Sequence, residues 1–150
     1  MSFSMLKYKL AAIAYFSLLL GGVAQAAIID IDNAELAKLV ESGVPLIDIR
    51  TAQEWQQSGI VPGSHLLTFF DERGQANPAT WLAAAKNIAK ASDPVIVICR
   101  TGNRTKAVSK FLNEQAGYAK VYNVRNGIVA WAREGRTLAP ATSSLAARFY

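Results

Sequence analysis

The sequence predicts an α/β domain built on a mostly parallel sheet. Five short apolar segments of strand length alternate with segments whose apolar residues recur at helical spacing, and this alternation is typical of parallel strands joined by crossover helices. Residues 95–98 are apolar without interruption, which favours a central strand covered on both faces. At 150 residues, the chain has the length of one domain with a substantial core.

The first half of the chain predicts two strands, each followed by a capped helix. Asp32 with Glu35, and Thr51 with Glu54, have the spacing of a capping box. In that motif the first side chain and the carboxylate three residues later satisfy free backbone N–H groups at the start of a helix. The two predicted strands are residues 28–31 and 46–49.

The second half predicts three more strands and three more helices. Asn77 and Pro78 fit the N-cap and first position of a helix that carries Trp81 on its apolar side. A second helix follows the cysteine loop and ends near Gly117, and a short third helix covers residues 128–133. The predicted strands are residues 66–69, 95–98 and 121–124.

The first 26 residues have the pattern of a secretory signal peptide. Lys7 and Lys9 precede an apolar run over residues 10–23, and a small-x-small cleavage site ends at Ala26. The run is shorter than the roughly 20 residues that a spanning helix needs. We therefore expect cleavage after Ala26 and export of the protein into an oxidising compartment. The alternative is an uncleaved N-terminal segment that anchors the chain.

The remainder divides into a domain over residues 27–136 and a tail over 137–150, which is rich in alanine, serine and threonine. Without the leader, 14 basic and 11 acidic residues give a net charge of +3. Because no basic run accompanies this balance, we expect no nucleic-acid partner. We also expect no stable membrane span once the leader is removed, and a monomer.

Cys99 is the only cysteine of the chain, and there is one histidine. A single cysteine forms no internal disulfide. One cysteine and one histidine are also too few ligands for a cysteine/histidine zinc site. We therefore expect neither a metal nor another cofactor.

Cys99 directly follows the predicted central strand and begins a loop rich in arginine. Sites in open parallel sheets lie at the carboxyl ends of the strands. Arg100 and Arg104 supply two guanidinium groups, and Gly102 allows unusual backbone torsions. A tight loop of this kind aims successive N–H groups at one point, and the following helix adds its positive N-terminal end. The pattern predicts a nucleophilic thiolate with affinity for anions.

From Ile29 to about Gly135 the chain resembles a single rhodanese domain. The cysteine loop resembles the active-site loop of that family, and the acidic-aromatic pair of the family corresponds to residues 54–55. Asn126 replaces the first glycine of the late GGxxAW element, and we interpret it as a left-handed residue because asparagine tolerates that conformation. The matching segments are residues 46–50, 60–64, 99–104 and 124–131.

The resemblance implies an open, five-stranded, mostly parallel sheet with helices on both faces and, for a chain with a leader, a periplasmic location. It also implies a sulfurtransferase, in which Cys99 takes a sulfur from a small anionic donor such as thiosulfate and becomes a persulfide. A thiol, cyanide or a protein then accepts that sulfur. Asp48 and Arg50 are interpreted as structural support for the neighbouring loops. The expected substrate-binding residues are Arg100, Thr101, Gly102, Asn103, Arg104 and Thr105.

Two other functions use similar loops or folds. A cysteine phosphatase or arsenate reductase binds a tetrahedral oxyanion in such a cradle, but the Cys-x5-Arg loop of phosphatases places arginine where this chain has Thr105. A non-catalytic binding module commonly lacks the cysteine or the loop glycine, whereas this chain has both. Sulfur transfer is therefore the favoured hypothesis.

Overall fold

In the computed structural model of the chain, residues 26–143 are described. The predicted leader before Ala26 and the last seven residues of the predicted tail lie outside the described residues. The strands are β1 (Ala27–Ile31), β2 (Leu46–Asp48), β3 (Ser64–Leu66), β4 (Pro94–Ile98) and β5 (Lys120–Val124). The helices are α1 (Asn33–Glu41), α2 (Ala52–Ser58), α3 (Pro78–Ile88), α4 (Asn103–Lys110) and α5 (Gly127–Arg133).

The five strands form one sheet in the order β1-β5-β4-β2-β3, and every neighbouring pair is parallel. The predicted α/β class and the open parallel sheet are therefore confirmed. β4 lies at the centre of the sheet, and its residues Val95 to Ile98 are completely buried. This burial explains why the strand that delivers Cys99 has no polar alternation.

Local capping starts the first three helices as the sequence predicts. Asp32 accepts from the N–H of Glu35, and the Glu35 carboxylate accepts from the N–H of Asp32, so the capping box is complete. Thr51 and Glu54 form the same reciprocal pair at α2. The Asn77 side chain caps α3, in which Pro78 is the first residue.

Helices cover both faces of the sheet. On one face, α3 and α4 bury Trp81, Val108 and the alternate β4 residues with Cys99. On the other face, α1 and α5 bury Leu36 and Trp131 against the remaining strand residues. The two cores hold β4 rigidly from both sides, and the loop that follows this strand starts from a fixed position.

The third strand is shorter and earlier than the predicted segment 66–69. After Leu66 the chain continues along the end of β2, where the Leu67 N–H bonds the Asp48 carbonyl at 3.1 Å. The Phe69 N–H bonds the Ile49 carbonyl at 3.1 Å, and the Phe69 ring packs edge-on against Trp81, with ring centroids 5.0 Å apart. Burial of this aromatic ring in the core under α3 accounts for the apolar character of the segment beyond the regular strand.

The beginning of the predicted tail lies against the domain. Ile60 and Ala139 exchange two backbone hydrogen bonds of 2.9 Å, and the Trp131 indole N–H donates to the Thr137 carbonyl at 2.8 Å. Leu138 packs against the core on the α1 and α5 face. Within residues 26–143, none of the helices combines the length and the hydropathy of a membrane span.

Candidate active site

Cys99 lies at the carboxyl end of β4, at the centre of the sheet edge. It is a free cysteine, 1 % exposed, and its side chain belongs to the core on the α3 and α4 face. Burial holds the sulfur in one place at the start of the loop that follows. This is the position at which ligands bind in open parallel sheets.

The loop after Cys99 closes around its sulfur. The Gly102 N–H donates to Cys99 Sγ at 3.2 Å, and the Thr105 hydroxyl oxygen lies 3.7 Å from the same atom. Thr105 also donates to the Gly102 carbonyl at 3.0 Å, which ties the start of α4 to the loop. A negative charge on the sulfur would therefore be stabilised by a backbone donor and by the N-terminal end of α4.

The N-terminus of α5 holds the outside of the same loop. The Ile128 N–H donates to the Cys99 carbonyl at 2.9 Å, and the Val129 N–H donates to the Arg100 carbonyl at 3.1 Å. Both carbonyl oxygens thus point toward α5 and away from the thiol. These two N–H groups have no partner within α5, and by binding the two carbonyl groups they set the orientation of the first peptides of the loop.

Two glycines permit this close approach of loop and helix. Gly102 has φ +90°, and a Cβ there would lie 2.8 Å from the Arg125 carbonyl carbon and overlap its oxygen. Gly127 has φ +62°, and a Cβ there would overlap the carbonyl group of Arg100. Asn126, interpreted from the sequence as a left-handed residue, instead has φ −111°. That interpretation is wrong because the positive φ of the turn falls one residue later, on Gly127.

Asp48 and Arg50 form a buried ion pair at the end of β2. The Arg50 Nη2 lies 2.7 Å from Asp48 Oδ2, and the two side chains are 1 % and 0 % exposed. The other guanidinium donors reach the Ser58 hydroxyl at 2.6 Å and the Gly59 carbonyl at 2.9 Å. The pair therefore joins the end of β2 to the end of α2, which is the geometry of a structural brace.

A second ion pair, which sequence reasoning missed, crosses from α2 to α4. Glu54 accepts from both terminal nitrogens of Arg104, at 2.6 Å and 2.8 Å. The Arg104 hydrogen bonds lower the pKa of Glu54 to about 2, with smaller help from the Thr51 N–H and the charge of Arg50, although partial burial opposes the shift. The same contact raises the pKa of Arg104. Because these residues are 50 positions apart, the capping-box spacing of Glu54 did not reveal the pair.

The remaining loop residues differ in exposure. Arg100, Thr101 and Asn103 are exposed, whereas Gly102 and Thr105 are buried at the sulfur. Arg100 also lines a cavity of about 470 Å³ between α2 and α5. Cys99 itself does not line this cavity, and Arg100 is the residue of the cysteine loop that does. Within residues 26–143, no cluster of three or more acidic, histidine or cysteine side chains could hold a metal ion.

Comparisons with known proteins agree with this arrangement. Residues 32–134 match the rhodanese-like domain family. A sulfurtransferase of Allochromatium vinosum is 32% identical over 108 residues, which are 71% of this chain and 90% of that protein. Thiosulfate sulfurtransferase 18 of Arabidopsis thaliana is 27% identical over 110 residues, which are 69% of this chain and 78% of that protein.

A solved structure shares the fold. The crystal structure of a rhodanese-related protein from Thermoplasma volcanium superimposes with a TM-score of 0.56 at 25% identity, covering 74% of this chain and 97% of that one. The family match covers the segment from the first capping box to the end of α5, which includes both ion pairs and the cysteine loop. This chain is a member of the rhodanese-like domain family.

Proposed function

We propose that this protein is a sulfurtransferase that carries sulfur on Cys99 as a persulfide. The observation that carries the proposal is the position of Cys99 Sγ, which accepts the Gly102 N–H at 3.2 Å inside a loop that closes at Thr105. A loop of this size has room for the charge of a sulfur atom but not for the larger phosphoryl group of the phosphatase reaction. The family and its sulfurtransferase-named relatives support the same reaction class.

The first step loads the cysteine. The Cys99 thiolate attacks the outer sulfur of a donor such as thiosulfate, and a new S–S bond forms. The S–S bond of thiosulfate breaks, its electron pair leaves with sulfite, and the negative charge of the thiolate passes to the terminal sulfur of the persulfide. The Gly102 N–H, which donates to Cys99 Sγ, would stabilise that charge in the manner of an oxyanion hole.

The second step transfers the sulfur from Cys99 to an acceptor from outside the chain. Cys99 is the only cysteine in the sequence, so no second thiol of the same chain can resolve the persulfide. Cyanide, a small thiol or a cysteine of another protein attacks the outer sulfur, takes it up and returns the Cys99 thiolate. The exposed guanidinium of Arg100 attracts the anions of both steps. Both steps use residues of one chain, so we propose that the protein acts as a monomer.

Phosphate or arsenate chemistry is the weaker candidate. The position that holds arginine in Cys-x5-Arg phosphatases is Thr105 here, and its hydroxyl faces Cys99 Sγ and the Gly102 carbonyl. A threonine does not offer the bidentate donor pair with which arginine binds two oxygens of a phosphoryl group. The loop therefore suits a single sulfur atom better than a phosphoryl group.

The place of action that we propose is the periplasm. The proposal rests on the charged start, the apolar run over residues 10–23 and the small residues before position 27. β1 begins at Ala27, directly after the expected cleavage point, so removal of the leader would leave the whole sheet intact.

The test is production of thiocyanate from thiosulfate and cyanide. We expect turnover by the protein without its leader and none by Cys99→Ala or Cys99→Ser, because serine lacks a nucleophile able to hold the sulfur. Hydrolysis of 4-nitrophenyl phosphate is the control reaction, and we expect none. Cys99-dependent phosphate release without thiocyanate would overturn the proposal in favour of the phosphatase.

A further inference from the structure

Glu54 lies between the two arginines of the cysteine loop. Its carboxylate holds Arg104 through two hydrogen bonds, and it lines the same cavity as Arg100. The Glu54 and Arg104 side chains are 24% and 29% exposed, so the pair lies at the surface of the site. An anion in this cavity therefore meets the Glu54 carboxylate as well as the Arg100 guanidinium.

The Glu54 carboxylate is fixed in place. Besides the two bonds from Arg104, it accepts from the Thr51 N–H at 3.1 Å as part of the capping box of α2. Its pKa is lowered to about 2, mainly by the hydrogen bonds from Arg104, so the group is ionised in any ordinary assay buffer. Rotation away from the loop would break the cap and the ion pair together.

The net positive charge that the loop offers to a substrate is therefore smaller than its two arginines alone indicate. The two loop guanidinium groups predict an affinity for dianions, but the fork of Arg104 is occupied by Glu54, and Arg50 is paired with Asp48. Within residues 26–143, Arg100 makes no ion pair. One unpaired loop cation, next to a fixed carboxylate, suits a donor with at most one negative charge better than a dianion.

We propose that Glu54 is a specificity-determining residue that favours an organic persulfide over dianionic thiosulfate as the sulfur donor. The inference rests on the proposed sulfurtransferase function. A sulfonate at the loop would either lie beside the Glu54 carboxylate or displace that carboxylate from Arg104. Two negative charges that lie side by side repel each other. A persulfide R–S–SH has no sulfonate and avoids both penalties.

Sulfur transfer from such a donor balances without another reactant. The Cys99 thiolate attacks the terminal sulfur of R–S–SH, and a Cys99–S–SH persulfide forms. The S–S bond of the donor breaks, and its electron pair leaves with the thiolate R–S⁻. The proton stays on the transferred sulfur, and no oxidant or reductant is consumed.

The experiment compares two donors on the wild type and on Glu54→Gln. Glutamine keeps the size of the side chain and can occupy the third position of a capping box, while it frees Arg104 to bind anions. The probes are thiosulfate and 2-hydroxyethyl persulfide, which differ in the sulfonate. The rate at which Cys99 gains one sulfur is followed by intact-protein mass spectrometry at rising donor concentration.

We expect Glu54→Gln to raise the second-order rate with thiosulfate by about 10-fold and to change the rate with the persulfide by less than about 2-fold. The difference should shrink in about 0.5 M NaCl, because salt screens partly exposed charges. The double variant Glu54→Gln/Arg104→Gln restores the original net charge and should lose the gain. Glu35→Gln, in the equivalent capping box of α1, is the matched control and should behave as wild type.

The outcomes separate the two proposals. If the wild type gains sulfur but Glu54→Gln alters both donors equally or neither, the specificity inference is wrong and the sulfurtransferase proposal stands. If the wild type gains sulfur from neither donor, the sulfurtransferase proposal fails and the inference fails with it. A selective rise with thiosulfate that the double variant abolishes supports both.

Discussion

Gly102→Ala is expected to lower kcat/KM for sulfur transfer by about 100-fold or more, a loss typical of reacting groups displaced by about 1 Å. The added Cβ would overlap the Arg125 carbonyl, and φ +90° is strained for any residue other than glycine. Relief of this overlap moves the loop and with it the Gly102 N–H, which now donates to Cys99 Sγ at 3.2 Å. Loss of that donor removes stabilisation from the thiolate and from the persulfide.

Gly43→Ala provides the matched control for this variant. Gly43 has φ +88°, almost the same torsion, but no atom lies within 4 Å of the position of a Cβ there. It should therefore cost stability of about 1 kcal/mol through backbone strain alone and leave the thiocyanate assay unchanged. Activity of Gly102→Ala within about 3-fold of wild type would show that the Gly102 N–H does not support the reaction.

Arg50→Met is expected to lower the free energy of unfolding by about 3–5 kcal/mol, the usual result of removing one partner of a buried ion pair. Asp48 would remain as a carboxylate with a fully buried side chain. The variant would also leave the Gly59 carbonyl and the Ser58 hydroxyl without the guanidinium that they now contact. Urea unfolding of the protein without its leader measures the change.

Two further variants test whether the buried charge is the cause. Asp48→Leu/Arg50→Met removes both charges and should recover part of the lost stability, because apolar replacements of a buried pair are often neutral. Lys110→Met breaks an exposed pair with Glu114 at 3.9 Å and should change stability by less than about 0.5 kcal/mol. A loss for Arg50→Met no larger than that for Lys110→Met would contradict the role of the brace.

Features of the fold that depend on a few neighbouring residues could be predicted from the sequence. The capping boxes at Asp32 and Thr51 need residues only three positions apart, and both are present. The buried run at residues 95–98 identified the central strand because a strand covered on both faces tolerates no polar side chain. The strand boundary near residue 66 was misplaced because an apolar run does not distinguish a regular strand from an irregular segment that follows it and buries Phe69.

Features of the site that depend on distant residues could not be predicted in the same way. The position of Cys99 follows from its strand, but the carbonyl groups of its loop are held by α5, almost 30 residues later. Arg104 was expected to bind substrate because it is a loop cation, yet its fork is occupied by Glu54 from α2. No local sequence pattern shows which acidic residue pairs with which arginine, because the strand order of the sheet determines which helices lie side by side. The charge available to a substrate can therefore be read only from the folded structure.

The central claim is that Cys99 carries one transferable sulfur atom. The most direct measurement is the intact mass of the protein without its leader after incubation with a sulfur donor and rapid desalting. The account predicts a gain of about 32 Da, one sulfur atom in a persulfide, that is absent in Cys99→Ala and is removed by cyanide. An unchanged mass with both thiosulfate and 2-hydroxyethyl persulfide, or an equal gain in Cys99→Ala, would contradict it.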